Sequence, residues 1–231
     1  MIEIRRFSDL GTFENDWLNA HFHFSFSDYY DPARMGHGKL RVWNDDTIRS
    51  NSGFAPHGHR DMEIITYVRT GAITHEDSMG NKGRTEAGDV QVISAGRGVQ
   101  HSEWNAGTED TTLFQLWIEP ADKGGDPSWG AQAFPKADRS GHWAVLASGR
   151  GEDGALAIRQ DAAVLGATLK KDEHLTYDMT AGRYGYLVLA AGSVLLNGER
   201  LDARDGAAIS GQTTISLTAL DDAEIVFVDT I

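Results

Sequence analysis

The sequence predicts an all-β chain made of two similar barrel-like units. Three observations carry that expectation. Short runs rich in β-branched and aromatic residues recur between Gly, Asn and Asp turns, as in Met62-Glu63-Ile64-Ile65-Thr66-Tyr67-Val68 and Glu224-Ile225-Val226-Phe227-Val228. Sustained helical periodicity is hard to find. One strand–turn–strand pattern also occurs twice, and Gly80 to Gly88 has the same spacing as Gly198 to Gly206. Chance likeness between Gly-rich β sequences is the rival explanation of that repeat.

The elements follow in chain order. The one expected helix is short and lies near Asp9–Leu18, where Asp16-Trp17-Leu18 follows residues able to cap it. Next comes His21-Phe22-His23-Phe24-Ser25-Phe26, whose alternation reads as a strand with Phe22, Phe24 and Phe26 on one face. His21 and His23 then share the polar face, and a structural role is expected for both, with a pocket wall near the site as the alternative. Strands are expected around residues 62–68, 90–93 and 112–118. In the last of these, two of Phe114, Gln115, Leu116 and Trp117 should pack the core and the other two line a cavity. Lys123-Gly124-Gly125-Asp126-Pro127-Ser128 reads as a linker. It sets the expected domains at 1–130 and 131–231.

Composition narrows the function. The 231 residues are 40% hydrophobic, which suits a globular chain with a substantial core. No cysteine is present, so neither disulfides nor thiolate metal sites are available. The formal net charge is −13, and no run of Lys and Arg builds a basic patch. Such a chain repels phosphate backbones on average, so direct nucleic-acid binding is not expected. No stretch approaches the roughly 20 apolar residues of a membrane span, and the first residues lack the apolar core of a secretory signal. A cytoplasmic protein without membrane contact is expected.

Two short pairs carry the chemistry: His57-Gly58-His59 and His101-Ser102-Glu103. Residues two apart on a strand point to the same side, so each pair can aim two ligands at one point. Three imidazoles and one carboxylate suit a divalent transition metal and can leave a coordination position open. Glu63 rivals Glu103 as the carboxylate, because it follows His59 by four residues and shares its strand parity. Glu103 is favoured because it pairs with His101 as His57 pairs with His59. His75 follows a strand end and is read as a turn residue. The second half offers neither pair, so one unit should hold metal and the other should not. No nucleophile elbow, phosphate loop or dinucleotide fingerprint is present.

Gly53-Phe54-Ala55-Pro56-His57-Gly58-His59-Arg60-Asp61-Met62-Glu63 resembles the first cupin motif as pirins carry it. Asp77-Ser78-Met79-Gly80-Asn81 and Ser94-Ala95-Gly96-Arg97-Gly98-Val99-Gln100-His101-Ser102-Glu103 resemble the second. The resemblance implies a bicupin, two stacked β-barrels of the double-stranded β-helix type, with metal only in the N-terminal one. It implies His57, His59, His101 and Glu103 as ligands and iron as the usual ion, with copper, manganese, nickel, cobalt or zinc also able to occupy such sites. Bacterial pirins include proteins similar to quercetin 2,3-dioxygenases, which open a flavonol with dioxygen and release carbon monoxide. The expected partners are therefore a flavonol-like molecule and O2. In that reaction Glu103 is the candidate base, with Glu63 in reserve. Eukaryotic pirins are linked to regulation through protein partners, which is the alternative function. Gly58 departs from the Pro that pirins often have there.

Overall fold

The computed structural model describes residues 1–231. The first half contains β1 (Ile2–Arg5), β2 (Gly11–Glu14), β3 (Leu18–Phe22), β4 (Leu40–Ile48), β5 (Ser52–His59), β6 (Glu63–Thr70), β7 (Ala72–Asp77), β8 (Lys82–Glu86), β9 (Val90–Ser94), β10 (Val99–Asn105), β11 (Thr111–Ile118) and β12 (Ser128–Gln132). The second contains β13 (Ala144–Ser148), β14 (Leu156–Ala157), β15 (Ala162–Leu169), β16 (His174–Asp178), β17 (Tyr184–Ala191), β18 (Ser193–Leu196), β19 (Glu199–Asp202), β20 (Gly206–Ser210), β21 (Thr214–Ala219) and β22 (Ala223–Thr230). Two single-turn 3-10 segments, Phe7–Asp9 and Lys136–Arg139, are the only helical pieces.

Each half pairs a seven-stranded sheet with a four-stranded one. The order β9-β6-β11-β4 in the first half recurs as β20-β17-β22-β15 in the second. Likewise β5-β10-β7-β8 recurs as β16-β21-β18-β19. The repeat is thus a duplication of one barrel and not chance likeness. Gly80 and Gly198 occupy equivalent hairpin turns at φ +90° and +89°, where a side chain would be strained. The topology also crosses the expected 130/131 partition. β1 adds to the second barrel, with Ile2 opposite Ile209, and β12 reaches Gln132 along β9. The expected linker is anchored: the Gly124 N–H donates to Asp61 at 2.7 Å, and the Arg97 N–H donates to the Gly125 carbonyl at 2.9 Å.

Strand alternation decides where each core sits. On β4, β6 and β11 one set of side chains, including Trp43, Ile65, Tyr67, Phe114 and Leu116, faces the other barrel. There it meets Val164, Tyr186, Val188, Val226 and Val228, so the two large sheets share one central core. Fully burying side chains of this size contributes roughly 1.5–3 kcal/mol each before entropy is counted. Polar clamps stitch the same seam. The buried Asp45 carboxylate of β4 accepts from Arg69 and from Arg204 of the second unit. Tyr67 donates to Glu224 of β22 and accepts from the buried Arg139. The second barrel is filled by Leu187, Leu189, Val194, Leu196, Leu201, Ile215 and Leu217.

Two sequence expectations fail in the first 30 residues. No helix forms over residues 9–18; β2 and the start of β3 lie there instead. The Asn15 side-chain Oδ1 accepts the N–H groups of Trp17 and Leu18 at 3.0 and 2.8 Å, closing a turn between the strands. The aromatic run does not continue as one strand, because β3 stops at Phe22. Ser25 and Asp31 exchange two 2.8 Å hydrogen bonds and bend the chain. Phe22 and Phe26 therefore stay together in the first barrel, their rings 5.4 Å apart. Phe24 instead enters the central core against Tyr186. His23 is buried with Nδ1 2.9 Å from the Tyr186 hydroxyl, and His21 packs on Phe7. The two do not share a polar face as expected and neither belongs to the metal-ligand cluster, whereas Phe22 and Phe26 of the same run wall the cavity described below.

Candidate metal centre

β5 and β10 run antiparallel, with His101 opposite His57 and Val99 opposite His59. Beyond His101 the register slips by one, so Glu103 faces Phe54. The extra residue falls at Ala55-Pro56. Proline has no N–H to give the ladder, and a bulge accommodates it. The Ala55 carbonyl lies 2.9 Å from His57 Nδ1 and holds that ring.

This arrangement brings His57, His59 and His101 together. One ring nitrogen from each lies within 4.8 Å of the others. His57–His101, His57–His59 and His59–His101 ring centroids are 4.4, 4.8 and 4.9 Å apart. Burial and the neighbouring His57 push His59 down to about 4. Burial, His57, His59 and His75 push His101 down to about 3. Both rings are then neutral at neutral pH, the form that binds metal. Nε2 of His59 and Nε2 of His101 are buried and have no partner in the protein. Orphaned buried nitrogens are costly unless something else completes them. A divalent cation does so, and the neutral donors suit a first-row ion.

The carboxylate candidates separate. Glu103 is buried beside the trio but outside its compact cluster. It accepts from Gln91 at 2.6 Å, Gln115 at 2.7 Å and Thr66 at 3.2 Å. Burial pushes its carboxyl above the ordinary range, against the pull of nearby imidazoles and donors. Glu63 is not at the site. It lies on the opposite face of its sheet, where it accepts from Ser94 and from the Arg159 N–H of the second unit. Strand parity did not carry from His59 to Glu63, because Asp61 turns the chain at φ +50° between two different sheets. Gly58 lies within β5, opposite Gln100, and a Cβ there would meet only the Val99 carbonyl oxygen, at 3.8 Å. His75 is not a turn residue. It is fully buried in β7, against His101.

Comparisons with known proteins agree with this geometry. A family model described as Pirin matches residues 4–118, and one for a quercetinase C-terminal cupin domain matches residues 145–230. A pirin-like protein of Caulobacter vibrioides is 60% identical over 230 residues, covering 99% of both chains. The chain belongs to the pirin family. A protein of Escherichia coli K12 named quercetin 2,3-dioxygenase is 40% identical over 99% of this chain and 98% of its own. The crystal structure of the bacterial pirin YhhW from Escherichia coli in complex with nickel(II) superposes with a TM-score of 0.94 at 37% identity, covering 100% of this chain and 99% of that one. The three-histidine site of this pirin and its nickel-bound relative together point to a divalent metal.

His57, His59 and Glu103 line a cavity of about 320 Å³, within the range of small-molecule pockets. The rings of Trp17, Phe22, Phe26, Phe54 and Trp117 form much of its wall. Trp117 stands edge-on to both His59 and Phe26, at 5.0 and 5.3 Å. Besides the two histidines, the polar groups on the wall are Asn15, Ser27, Asn44, Asp46, Glu103 and Gln115. The alternation of β11 thus resolves as expected, with Phe114 and Leu116 in the core and Gln115 and Trp117 on the cavity. Asn44 and Asp46 were not singled out from sequence. They face the cavity while their neighbours Trp43 and Asp45 face the second barrel, a distinction that needs the sheet to be known.

Proposed function

We propose that this pirin is a metal-dependent dioxygenase that opens a flavonol-like aromatic with O2. The observation that carries the reading is the juxtaposition of metal-ready imidazoles with an aromatic-walled cavity of small-molecule size. His57, His59 and His101 would hold the ion, with Glu103 as fourth ligand. The bound ion would supply Lewis acidity toward the substrate's 3-hydroxyl. Iron is the ion implied by the family resemblance, though the same donors accept nickel, copper, manganese, cobalt or zinc.

The protein's own part is binding, orientation and proton transfer. Trp117, Phe26 and Phe54 flank a flat ring system and keep water from it. Glu103, loosening from its place as fourth ligand, takes the proton from the 3-hydroxyl. Its raised basicity suits that task, and Gln91, Gln115 and Thr66 hold the carboxylate in place. Dioxygen then adds to the resulting enolate, the heterocycle opens, and one ring carbon leaves as carbon monoxide. Glu63 has no part in this scheme.

The test is quercetin turnover by protein loaded with iron(II), followed by flavonol absorbance and oxygen uptake together. Equal consumption of both is expected, and both should collapse in His57→Ala and Glu103→Ala. Consumption that persists unchanged in those variants is background oxidation and ends the proposal.

A further inference from the structure

We propose that Asp77 and His75 form an orienting relay that fixes His101 in the tautomer able to bind metal. The geometry is continuous and buried. Asp77 Oδ2 lies 3.0 Å from His75 Nε2, and His75 Nδ1 lies 3.4 Å from His101 Nδ1. The side chains of His75 and Asp77 are both inaccessible to solvent. His101 Nε2, at the far end, is the buried nitrogen without a partner. His75 is also held in plane. Its ring stacks on Trp129 at 4.9 Å and 4°, and Gly83 opposite His75 leaves room for the indole. A Cβ at Gly83 would lie 2.3 Å from the Trp129 ring.

The protons follow from donor and acceptor rules. Asp77 accepts from the N–H groups of Met79 and Asn81 and from the Asn81 side-chain amide, the donor pattern of an ionised carboxylate. An ionised carboxylate can only accept, so His75 Nε2 carries the proton. A neutral His75 then has a bare Nδ1, which accepts from His101 Nδ1–H. That leaves His101 Nε2 with a free lone pair aimed at His57 and His59. Metal-binding histidines commonly donate their second nitrogen in this way. His57 does so directly, to Ala55.

The same turn supplies a discriminating variant. Asp77 Oδ1 accepts the N–H groups of Met79 and Asn81 at 2.9 and 3.0 Å. In Asp77→Asn those two donors demand the amide oxygen and turn its NH2 toward His75. His75 must then accept at Nε2 and donate at Nδ1, and His101 must carry its proton on Nε2, where the ion would bind. The turn keeps the acceptor of its two backbone N–H groups, and the Asn81 side-chain amide, which donates to Asp77 Oδ2 at 2.9 Å, rotates to offer its oxygen to the new NH2.

The experiment is titration of the metal-free protein with nickel(II) against a competing chelator, alongside thermal melts. Asp77→Asn should lose roughly 10- to 100-fold in nickel affinity, the range typical of such outer partners, with the metal-free melting temperature unchanged. Asp77→Ala frees His75 to adopt either tautomer while removing the turn acceptor. It should melt lower yet bind nickel better than Asp77→Asn. Long-range proton–nitrogen NMR of the metal-free form should show His101 protonated on Nδ1 in the parent and on Nε2 in Asp77→Asn. Wild-type nickel affinity in Asp77→Asn, or a larger affinity loss in Asp77→Ala, makes Asp77 merely a turn residue and overturns the relay. The inference rests on the metal site and not on the reaction. Intact nickel binding with inert quercetin would sink the dioxygenase reading alone.

Discussion

His101 stands directly across the β5–β10 pair from His57, with 4.4 Å between ring centroids. Burial and the neighbouring rings keep protons off His59 and His101, whose Nε2 atoms lack protein partners, so the metal-free site is a locally unfavourable arrangement that a cation would complete. Because an ion binds only the folded form here, it adds stability by mass action. At 100-fold over its dissociation constant, nickel(II) should contribute about 2.7 kcal/mol. That corresponds to roughly 5–10 °C in melting temperature for a chain of this size. Differential scanning fluorimetry with and without nickel checks it, and His101→Ala should show almost no shift.

Acid should destabilise the metal-free protein in a defined window. His59 and His101 have folded-state values of about 4 and about 3, against an ordinary 6.5. Between those limits the unfolded chain binds protons that the folded chain refuses, so stability falls as pH falls. The contribution is fully present above about 6.5 and is lost as pH drops through 4 and then 3. Denaturant unfolding at stepped pH should show a shallower decline in His101→Ala than in the parent. Parallel slopes would mean that His101 takes its proton without unfolding.

The part of the site that sequence exposed is the part governed by strand period. His57, His59 and His101 converge because spacing by two on a strand fixes direction, and β5 and β10 are neighbours in the duplicated barrel. Glu63 misled because the period holds only within one strand, and Asp61 resets it. His75 was misread because the length of β7 is not written in its composition. Phe24 left the face of Phe22 and Phe26 through a Ser25–Asp31 turn that no local pattern announces. The grip on Glu103 joins Thr66, Gln91 and Gln115 from three separate strands, and such a set is visible only once the strands are placed.

Asp46 is expected to trade stability for substrate recognition. Its side chain is buried on the cavity wall with Oδ1 unpartnered, as is Oδ1 of Asn44. Burial, Asp45 and Glu103 push the Asp46 carboxyl well above its ordinary value. An unsatisfied buried polar group costs about 1–3 kcal/mol. Asp46→Leu should therefore unfold at higher denaturant, while KM for a polyhydroxylated flavonol rises several-fold. Nickel affinity should be unchanged, since Asp46 is not among the clustered ligands. A destabilised variant would show that Asp46 has a partner in solution.

Asp45, one residue earlier, points the opposite way and should behave in the opposite sense. It is fully buried in the seam between the barrels, where Arg69 approaches from its own sheet and Arg204 from the second unit. Arg204 in turn stacks over Phe7, its guanidinium carbon 3.8 Å from the ring centroid. Removing the carboxylate strands two guanidinium groups against each other in a poorly solvated place. Loss of one partner from a buried ion pair typically costs about 3–5 kcal/mol. Asp45→Ala should lose stability on that scale in denaturant melts. The loss should be largely recovered in Asp45→Ala combined with Arg204→Met, which restores apolar packing over Phe7 and removes one unpaired charge. Two independent, additive losses would mean that the two residues do not act as a clamp across the seam.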